Sequence, residues 1–192
     1  MNKFIDEEDI YNETFEKEII TDDLSNISFK NCIFNKCNFQ NIKLKNVFFE
    51  KSTFNNCDFS NTQLIECNIK NVDINNSKLL GTNISNNHIS KTTIDNSLCK
   101  YINIIDTKTK ELTITNSDLQ ESNFFNVELN KCKIDNNNFS KSEFNHTKLN
   151  KINFSTSNIE SIKLTQDSLK GIQVNTLQAL DLVKLLDIEI VE

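Results

Sequence analysis

A large apolar residue recurs at every fifth position from Leu24 to Val174, and the register holds across thirty-one consecutive positions. Only Cys99 and Thr109 depart from the Phe, Leu, Ile and Val that fill the other positions. A period of five matches neither the 3.6 residues of a helical turn nor the alternation of a flat strand, so the chain must turn a corner once per period. The sequence therefore predicts a solenoid over most of its 192 residues.

A second column, of small or β-branched residues, lies two positions before each large residue. Residues two apart in an extended segment point the same way, so both columns are expected to face inward. Five of the six cysteines belong to this column: Cys32, Cys37, Cys57, Cys67 and Cys132. We interpret all six as packing residues, with Cys37 and Cys57 as the one pair to test for a disulfide. No C-x-x-C pair indicates a metal site, and we expect no cofactor.

These two columns resemble the central and preceding positions of the pentapeptide-repeat family. The resemblance implies an all-β fold, a right-handed quadrilateral β-helix (pentapeptide-repeat solenoid) with four pentapeptides in each coil. Residues 24–174 would then form about 7.5 coils and, at roughly 4.8 Å per coil, a rod about 35 Å long. Asn stands two residues after the large residue in thirteen repeats, where it is expected to form turns because it tolerates positive φ.

The two ends of the chain lack the five-residue register. Residues 1–23 are predicted to cap the first coil, because an open solenoid end exposes unpaired strand edges. In residues 175–192 the period changes to that of a short helix, capped by Asn175 or Thr176, followed by a strand over 187–191. The apolar residues here exceed what one coil end can cover, which predicts a dimer interface. Its predicted members are Leu177, Leu180, Val183, Leu186, Ile188 and Ile190.

The same segment resembles the tail of the quinolone-resistance (Qnr-like) pentapeptide-repeat proteins. The resemblance lies in Gly171 to Val174, Gln178 to Leu180, Leu182, Leu185-Leu186 and Ile188 to Val191. It implies an end-to-end homodimer that binds DNA gyrase and topoisomerase IV by DNA mimicry and protects them from quinolones or other poisons. Asp187 stands where the family commonly has a glycine that ends the helix. We expect the mobile loops of many plasmid-borne members to be absent, although a loop whose length is a multiple of five residues could lie within residues 86–111.

The net charge of −6 is unevenly distributed along the chain. Two lysines and nine acidic residues give −7 over residues 1–23, eighteen lysines and fourteen acidic residues give +4 over 24–174, and one lysine and four acidic residues give −3 over 175–192. The rod itself is therefore mildly basic. The carboxylates that DNA mimicry would need on it are sparse: Asp58, Glu66, Asp106, Asp118, Glu121, Glu143 and Glu160.

Assigning the pentapeptides to four faces in strict rotation places one lysine per coil on a single face. This candidate basic stripe consists of Lys30, Lys51, Lys70, Lys91, Lys110, Lys131, Lys151 and Lys170. Charges in neighbouring coils, about 5 Å apart, would repel each other, so the stripe does not favour stability. Two interpretations remain open: a solvated face of a lysine-rich chain, or a surface for nucleic acid or an acidic protein. The second makes the chain a β-helical interaction scaffold, our alternative to topoisomerase binding.

Catalysis is not indicated, and we predict that the protein is not an enzyme. His88 and His146 lie at outward positions, far apart in register, with no nucleophile or carboxylate placed beside them. No apolar run approaches a membrane span and no signal-peptide core is present, which predicts a cytoplasmic protein. The expected partners are thus a type II topoisomerase and a second copy of the chain, with direct nucleic-acid binding ranked below them.

Overall fold

The computed structural model describes residues 9–186, which form short strands and a C-terminal helix. The strands are β1 (Asp9–Tyr11), β2 (Thr14–Glu16), β3 (Leu24–Ser25), β4 (Ser28–Lys30), β5 (Ile33–Asn35), β6 (Lys43–Lys45), β7 (Phe48–Glu50), β8 (Thr53–Asn55), β9 (Gln63–Ile65), β10 (Asn68–Lys70), β11 (Asp73–Asn75), β12 (Asn83–Ser85), β13 (His88–Ser90), β14 (Thr93–Asp95), β15 (Asn103–Ile105), β16 (Lys108–Lys110), β17 (Thr113–Thr115), β18 (Asn123–Phe125), β19 (Glu128–Asn130), β20 (Lys133–Asp135), β21 (Glu143–Asn145) and β22 (Lys163–Leu164). Helix α1 spans Thr176–Val183, and a 3₁₀ turn covers Lys184–Leu186.

The strands stack into three parallel sheets, which form three walls of a rod. Face I is the sheet β1-β4-β7-β10-β13-β16-β19, face II is β2-β5-β8-β11-β14-β17-β20, and face IV is β3-β6-β9-β12-β15-β18-β21-β22. Face III is held by isolated parallel bridges, such as Asn38 with Asp58 and Asp58 with Lys78. The chain visits faces I to IV in turn, one pentapeptide to a face, so the predicted quadrilateral β-helix is confirmed.

Almost every coil contains twenty residues. Ile69, for example, pairs with Ile89, and Ile89 with Thr109. The strands between residues 83 and 115 keep this offset, so no loop is inserted within residues 86–111. The parallel register places equivalent residues of successive coils directly above one another, in columns that run along the rod.

The first coil differs from the boundary expected from the sequence. Asp9 pairs with Ser28, an offset of nineteen residues. Ile10, Phe15 and Ile20 are buried at five-residue intervals, but Leu24 follows Ile20 after only four residues. This one-residue slip hides the first coil from a search for an unbroken period, and residues 9–20 belong to the β-helix instead of to a separate cap. Residues 1–8 of the predicted cap lie outside the described residues.

The corners of the rod depend on residues in the left-handed backbone region. The residue two positions after each large apolar residue has positive φ in almost every coil, for example +56° at Asn56 and +47° at Asn96. Gly81 and Gly171 occupy the same position, with φ of +63° and +77°. Asn is the commonest residue at these corners, because its short polar side chain tolerates this conformation. The predicted role of these asparagines in turns agrees with the structure.

The inward small column includes hydroxyl groups that bond to the backbone between coils. Ser52 Oγ accepts from the N–H of Cys32 at 3.1 Å and donates to the carbonyl of Glu50 at 3.0 Å. Thr62 Oγ1 donates to the carbonyl of Phe39 at 2.6 Å. Buried hydroxyls are tolerated only when they are hydrogen-bonded, and each corner offers backbone groups for this purpose.

Phenylalanine rings fill the core at the two ends of the rod. Phe15 stacks on Phe34 with ring centroids 4.8 Å apart, and Phe124 stacks on Phe144 at 4.5 Å. Between Phe59 and Phe124 the central column consists of Leu, Ile, Cys99 and Thr109. These smaller side chains do not meet at the rod axis, and they leave an apolar cavity of about 50 Å³.

Candidate interaction surfaces

The eight predicted stripe residues all lie on face I or at its edge, but they form two columns instead of one. Lys30, Lys70 and Lys110 end strands β4, β10 and β16. Lys51, Lys91, Lys131 and Lys151 are corner residues with positive φ, and Lys170 lies in the last coil. The two columns alternate from Lys30 to Lys131, so these consecutive lysines are not directly stacked. Lys131 and Lys151 are both corner residues one coil apart, so the expected repulsion between stacked lysines is confined to this pair.

Carboxylates pair with two of the three lysines in the N-terminal half of the stripe, Lys30 and Lys70, whereas Lys51 forms no ion pair within residues 9–186. Lys30 Nζ lies 3.3 Å from Asp9 Oδ1 and 5.0 Å from the centre of the Tyr11 ring. Lys70 Nζ lies 2.9 Å from Glu50 Oε1. The hydrogen bond from Lys70, helped by the nearby charges of Lys51 and Lys30, lowers the pKa of Glu50 below its usual range. This half of face I therefore alternates in charge.

The C-terminal half of face I remains basic. Within residues 9–186, no ion pair joins a carboxylate to six exposed lysines on or beside this face. These six residues, which we name the basic patch, are Lys91, Lys110, Lys131, Lys148, Lys151 and Lys170. Glu128 forms an ion pair with Lys108 at 3.9 Å, and Glu111 is the other carboxylate on the strands and corners of this stretch. Seven lysines against two glutamates and Asp167, which lies three residues before Lys170, give the region a net charge of +4.

The carboxylates considered for DNA mimicry are partly engaged by lysines of their own faces. Asp118 lies 3.2 Å from Lys100, Glu143 lies 2.7 Å from Lys163, and Glu66 lies 3.9 Å from Lys45. Asp58 Oδ2 accepts a hydrogen bond from Gln40 at 2.7 Å, and Asp106 Oδ1 accepts one from Asn126 at 2.7 Å. Glu121 and Glu160 complete the set. These contacts leave no face of the described rod with a column of carboxylates.

The C-terminal helix closes the last coil and presents leucines outward. Asn175 is its N-cap: its side chain accepts from the Gln178 N–H at 3.0 Å, and Gln178 Oε1 accepts from the Asn175 N–H at 2.9 Å. Gln178 Nε2 also donates to the carbonyls of Phe154 and Ser157, which ties the helix to the coil. Leu182 is buried against the core.

The predicted dimer residues can be placed only in part. Leu177 is 75% exposed and Leu180 is 44% exposed, while Val183 is partly buried. Leu186 ends the 3₁₀ turn. Ile188 and Ile190, with the strand predicted over 187–191, lie outside the described residues. Leu177 and Leu180 are three positions apart and therefore share one side of the helix.

The register also places large apolar residues at outward positions, which our sequence reasoning passed over. Leu98 is 45% exposed and Tyr101 is 56% exposed on face III and its corner. Phe125 is exposed on face IV, where its ring contacts the His146 ring edge to face at 5.7 Å. The sequence could have identified them, because the five-residue period places Leu98, Tyr101 and Phe125 at outward-facing positions.

The cysteines are free thiols, and all but the partly buried Cys132 are buried. The interaction between the neighbouring Cys37 and Cys57 thiols lowers the pKa of Cys37 and, together with burial, raises the pKa of Cys57. The Cys132 thiol lies 3.0 Å from Thr109 Oγ1, and burial raises its pKa.

The histidines are separated on the surface. His88 is the first residue of β13 on face I, whereas His146 lies at a corner of face IV. Its Nδ1 lies 3.4 Å from Asp167 Oδ2, so the expectation that no carboxylate stands beside either histidine is wrong for His146. The hydrogen bond from Thr165, followed by that from His146, lowers the pKa of Asp167. Across residues 9–186, no three His, Cys, Asp or Glu side chains are grouped to hold a metal ion. Over the same range, no helix has the length and apolar character needed to cross a membrane.

The fold and these surfaces define a repeat scaffold built from stacked pentapeptides. The chain belongs to the pentapeptide-repeat family. A family profile for the pentapeptide repeat region matches residues 23–104 and 47–124, and a second, for eight copies of the pentapeptide repeat, matches residues 117–156.

Several solved structures align with the chain at low identity. A trypsin-treated variant of QnrB1, a plasmid-mediated fluoroquinolone resistance protein, is 19% identical over 100% of this chain and 94% of its own, with a TM-score of 0.38. HetL is a pentapeptide-repeat protein involved in heterocyst differentiation regulation in the cyanobacterium Nostoc. It is 14% identical over 85% of this chain and 86% of its own, with a TM-score of 0.37. A search of curated protein sequences returned no match.

Proposed function

We propose that this protein is a non-catalytic, homodimeric scaffold that binds a type II topoisomerase, DNA gyrase or topoisomerase IV, and protects it from quinolones or other poisons. The choice of partner rests on the resemblance of residues 171–191 to the tail of the Qnr-like proteins. The observation that carries the scaffold's assembly is the outward side of α1, where Leu177 and Leu180 are exposed at the end of the rod.

The physical argument for dimerisation concerns the two sides of this helix. Leu182 and the hydrogen bonds of Gln178 fasten one side to the last coil. Leu177 and Leu180 extend from the other side, where both remain exposed. A two-fold axis at this end would bring the same leucines of a second copy against them, which is how an isologous interface buries a self-complementary patch. The two rods would then extend in opposite directions.

Contact with the topoisomerase would involve the long faces of the rods. Among the carboxylates considered for DNA mimicry, Asp58, Asp106, Glu121 and Glu160 have no lysine ion pair within residues 9–186, and we assign them the contact with a basic groove. They are spread over faces III and IV. Recognition that depends on negative charge would therefore use these two faces instead of face I.

The assembly is tested by light scattering. Leu177→Asp with Leu180→Asp should convert a dimer into monomers, since two carboxylates would be buried without partners. Leu98→Asp is the matched control, because Leu98 is as exposed as Leu180 but lies on a side face. A wild-type chain that is monomeric at micromolar concentration contradicts the dimer.

The activity is tested by DNA supercoiling with purified gyrase, with and without ciprofloxacin. Micromolar wild-type protein should restore supercoiling in the presence of the drug, and the double aspartate variant should be weaker. Topoisomerase IV is assayed in the same way. If the protein neither binds an enzyme nor changes its activity, that enzyme is ruled out as the partner.

A further inference from the structure

Six exposed lysines on or beside the C-terminal half of face I form no ion pair within residues 9–186, and the proposed topoisomerase contacts do not include them. We infer that the basic patch binds the phosphate backbone of a nucleic-acid duplex, without reading base sequence. This surface is separate from the proposed topoisomerase contacts on faces III and IV and from the leucines of α1.

The first argument is the contrast between the two halves of one face. In the N-terminal half, Asp9 and Glu50 stand within ion-pair distance of Lys30 and Lys70. In the C-terminal half, the equivalent strand column above Lys70 continues with Ser90, Lys110, Asn130, Asn150 and Lys170. In this column neutral hydrogen-bonding residues take the place that Glu50 has in the N-terminal half, while Glu128 and Glu111 lie in the two adjacent columns. A face built only to be solvated gains nothing from placing unpaired like charges together.

The second argument is geometric. From the coil of Lys91 to the coil of Lys170 is four coil steps, or roughly 19 Å at the spacing of paired strands. Lysines occupy both the corner column and the strand-end column over this length, so their flexible side chains reach a band wider than a single column. Duplex DNA carries about one phosphate charge per 1.7 Å of its axis, so a band of this length faces several phosphates at once.

The third argument identifies the kind of partner. Protein interfaces contain a desolvated core of aromatic and aliphatic side chains. The strongly exposed apolar residues of the middle coils, Leu98, Tyr101 and Phe125, lie on faces III and IV and not on the patch. Interfaces with nucleic acid are polar and positively charged. The patch matches the second description, with Ser90, Asn130 and Asn150 beside its lysines as further donors.

Fluorescence anisotropy with a labelled 24-base-pair DNA duplex tests the proposal in the full-length chain. We expect a micromolar Kd at about 50 mM salt that weakens steeply as salt is added. The patch variant is Lys110→Gln, Lys131→Gln and Lys151→Gln. It should bind at least about tenfold more weakly, and the slope of log K against log salt should fall by about three.

The matched control is Lys43→Gln, Lys78→Gln and Lys141→Gln. It removes the same charge from exposed positions on faces III and IV, and it should bind as wild type does. Thermal denaturation establishes that both variants are folded. Equal weakening in the two variants would mean that overall charge, not the patch, attracts DNA, and would overturn the proposal.

Two further measurements decide the class of partner. A duplex RNA of the same length should bind with similar affinity, because only the backbone is recognised. Poly-glutamate at equal charge concentration should compete poorly. If poly-glutamate binds as tightly as DNA, or if no duplex binds at about 50 mM salt, the inference is wrong. Neither result bears on the gyrase assay, so the two proposals fail independently.

Discussion

The rings of Phe34 and Phe54 lie face to face in neighbouring coils, with centroids 4.6 Å apart and planes inclined by only 8°. Phe15 continues the stack below Phe34. Each ring packs face to face against another phenylalanine ring. Stacked side chains therefore hold the N-terminal coils together, in addition to the backbone hydrogen bonds between coils.

Shortening one member of this stack should weaken the rod. Phe54→Ala should lower the free energy of unfolding by about 3–5 kcal/mol, because the ring is buried and no neighbour can fill its place. Thr53→Ala, the preceding residue on the outward side of β8, should change it by less than about 0.5 kcal/mol. Urea denaturation followed by circular dichroism measures both. A similar, small effect of the two substitutions would contradict the stack's role.

A larger side chain beside the central cavity should stabilise the protein. Ile89 and Leu149 occupy equivalent central positions of face I, but only Ile89 lines the cavity. Ile89→Phe should raise the free energy of unfolding by about 1 kcal/mol, as a gain of about 24 cal/mol for each Å³ filled implies. Leu149→Phe should lower it by about 1–3 kcal/mol, because its site is already full. Destabilisation of similar size in both variants would show that the cavity does not admit the ring.

The positive φ of the corners can be tested at a corner that naturally holds a lysine. Lys36 has a φ of +56°, whereas Lys43 begins strand β6. Lys36→Gly should stabilise the protein by up to about 1 kcal/mol, since glycine adopts positive φ without steric strain. Lys43→Gly should destabilise it by about 1 kcal/mol, since glycine in a strand loses more backbone freedom on folding. Melting temperatures that shift in the same direction would contradict this account.

Hydrogen bonds to Asp95 predict a loss of stability in acid. Asp95 Oδ1 accepts from Thr115 at 2.5 Å and from Asn116 at 2.9 Å, and these bonds lower its pKa. A carboxylate with a lowered pKa in the folded state contributes stability above its unfolded pKa of about 4, and the contribution disappears as pH falls through the folded value. The difference in unfolding free energy between wild type and Asp95→Asn should therefore shrink from pH 7 to pH 3.

Asp73→Asn is the matched control for that measurement. Asp73 lies on face II one coil below Asp95, and within residues 9–186 its carboxylate accepts no side-chain hydrogen bond that would be lost. Its substitution should leave the acid profile close to that of wild type. An identical profile for Asp95→Asn would argue against a stabilising role for the Thr115 and Asn116 hydrogen bonds.

The cysteines should differ in reactivity according to burial. Cys132 is partly buried, whereas the others are shielded in the core. Burial raises its pKa, so labelling by a thiol reagent at pH 8 should be slow, and faster at pH 9 as the thiolate forms. Cys132→Ser should remove the first labelling phase. A first phase that survives this substitution would place the accessible thiol elsewhere.

The interior of the rod was predictable from the sequence because it depends on one period. Successive coils stack in register, so the same spacing that marks Phe29 and Phe34 as inward also marks Cys67 and Thr82 as inward. The corner asparagines follow from the same count, since a turn every five residues requires positive φ at a fixed position. The first coil escaped prediction because four residues, instead of five, separate Ile20 from Leu24.

The surface was less predictable, because it depends on which residues meet between coils. Counting lysines by face identified the side that carries Lys70 and Lys110, but not the ion pair of Lys70 with Glu50. A period assigns a residue to a face without showing the separation of its charged atoms from those of the next coil. The ion pairs of Lys30 and Lys70, which distinguish the N-terminal half of the stripe from the basic patch, therefore required coordinates.

The twenty-residue coil also sets a rule for how such a chain can change length. Adding twenty residues would lengthen the rod by one coil and leave every later side chain on its own face. Adding five would preserve the inward pattern but turn all later faces by a quarter of a revolution. Such an insertion after Gly81 would move the lysines from Lys91 to Lys170 from face I to face II of the rod. The number of repeats therefore determines the direction in which a binding surface points.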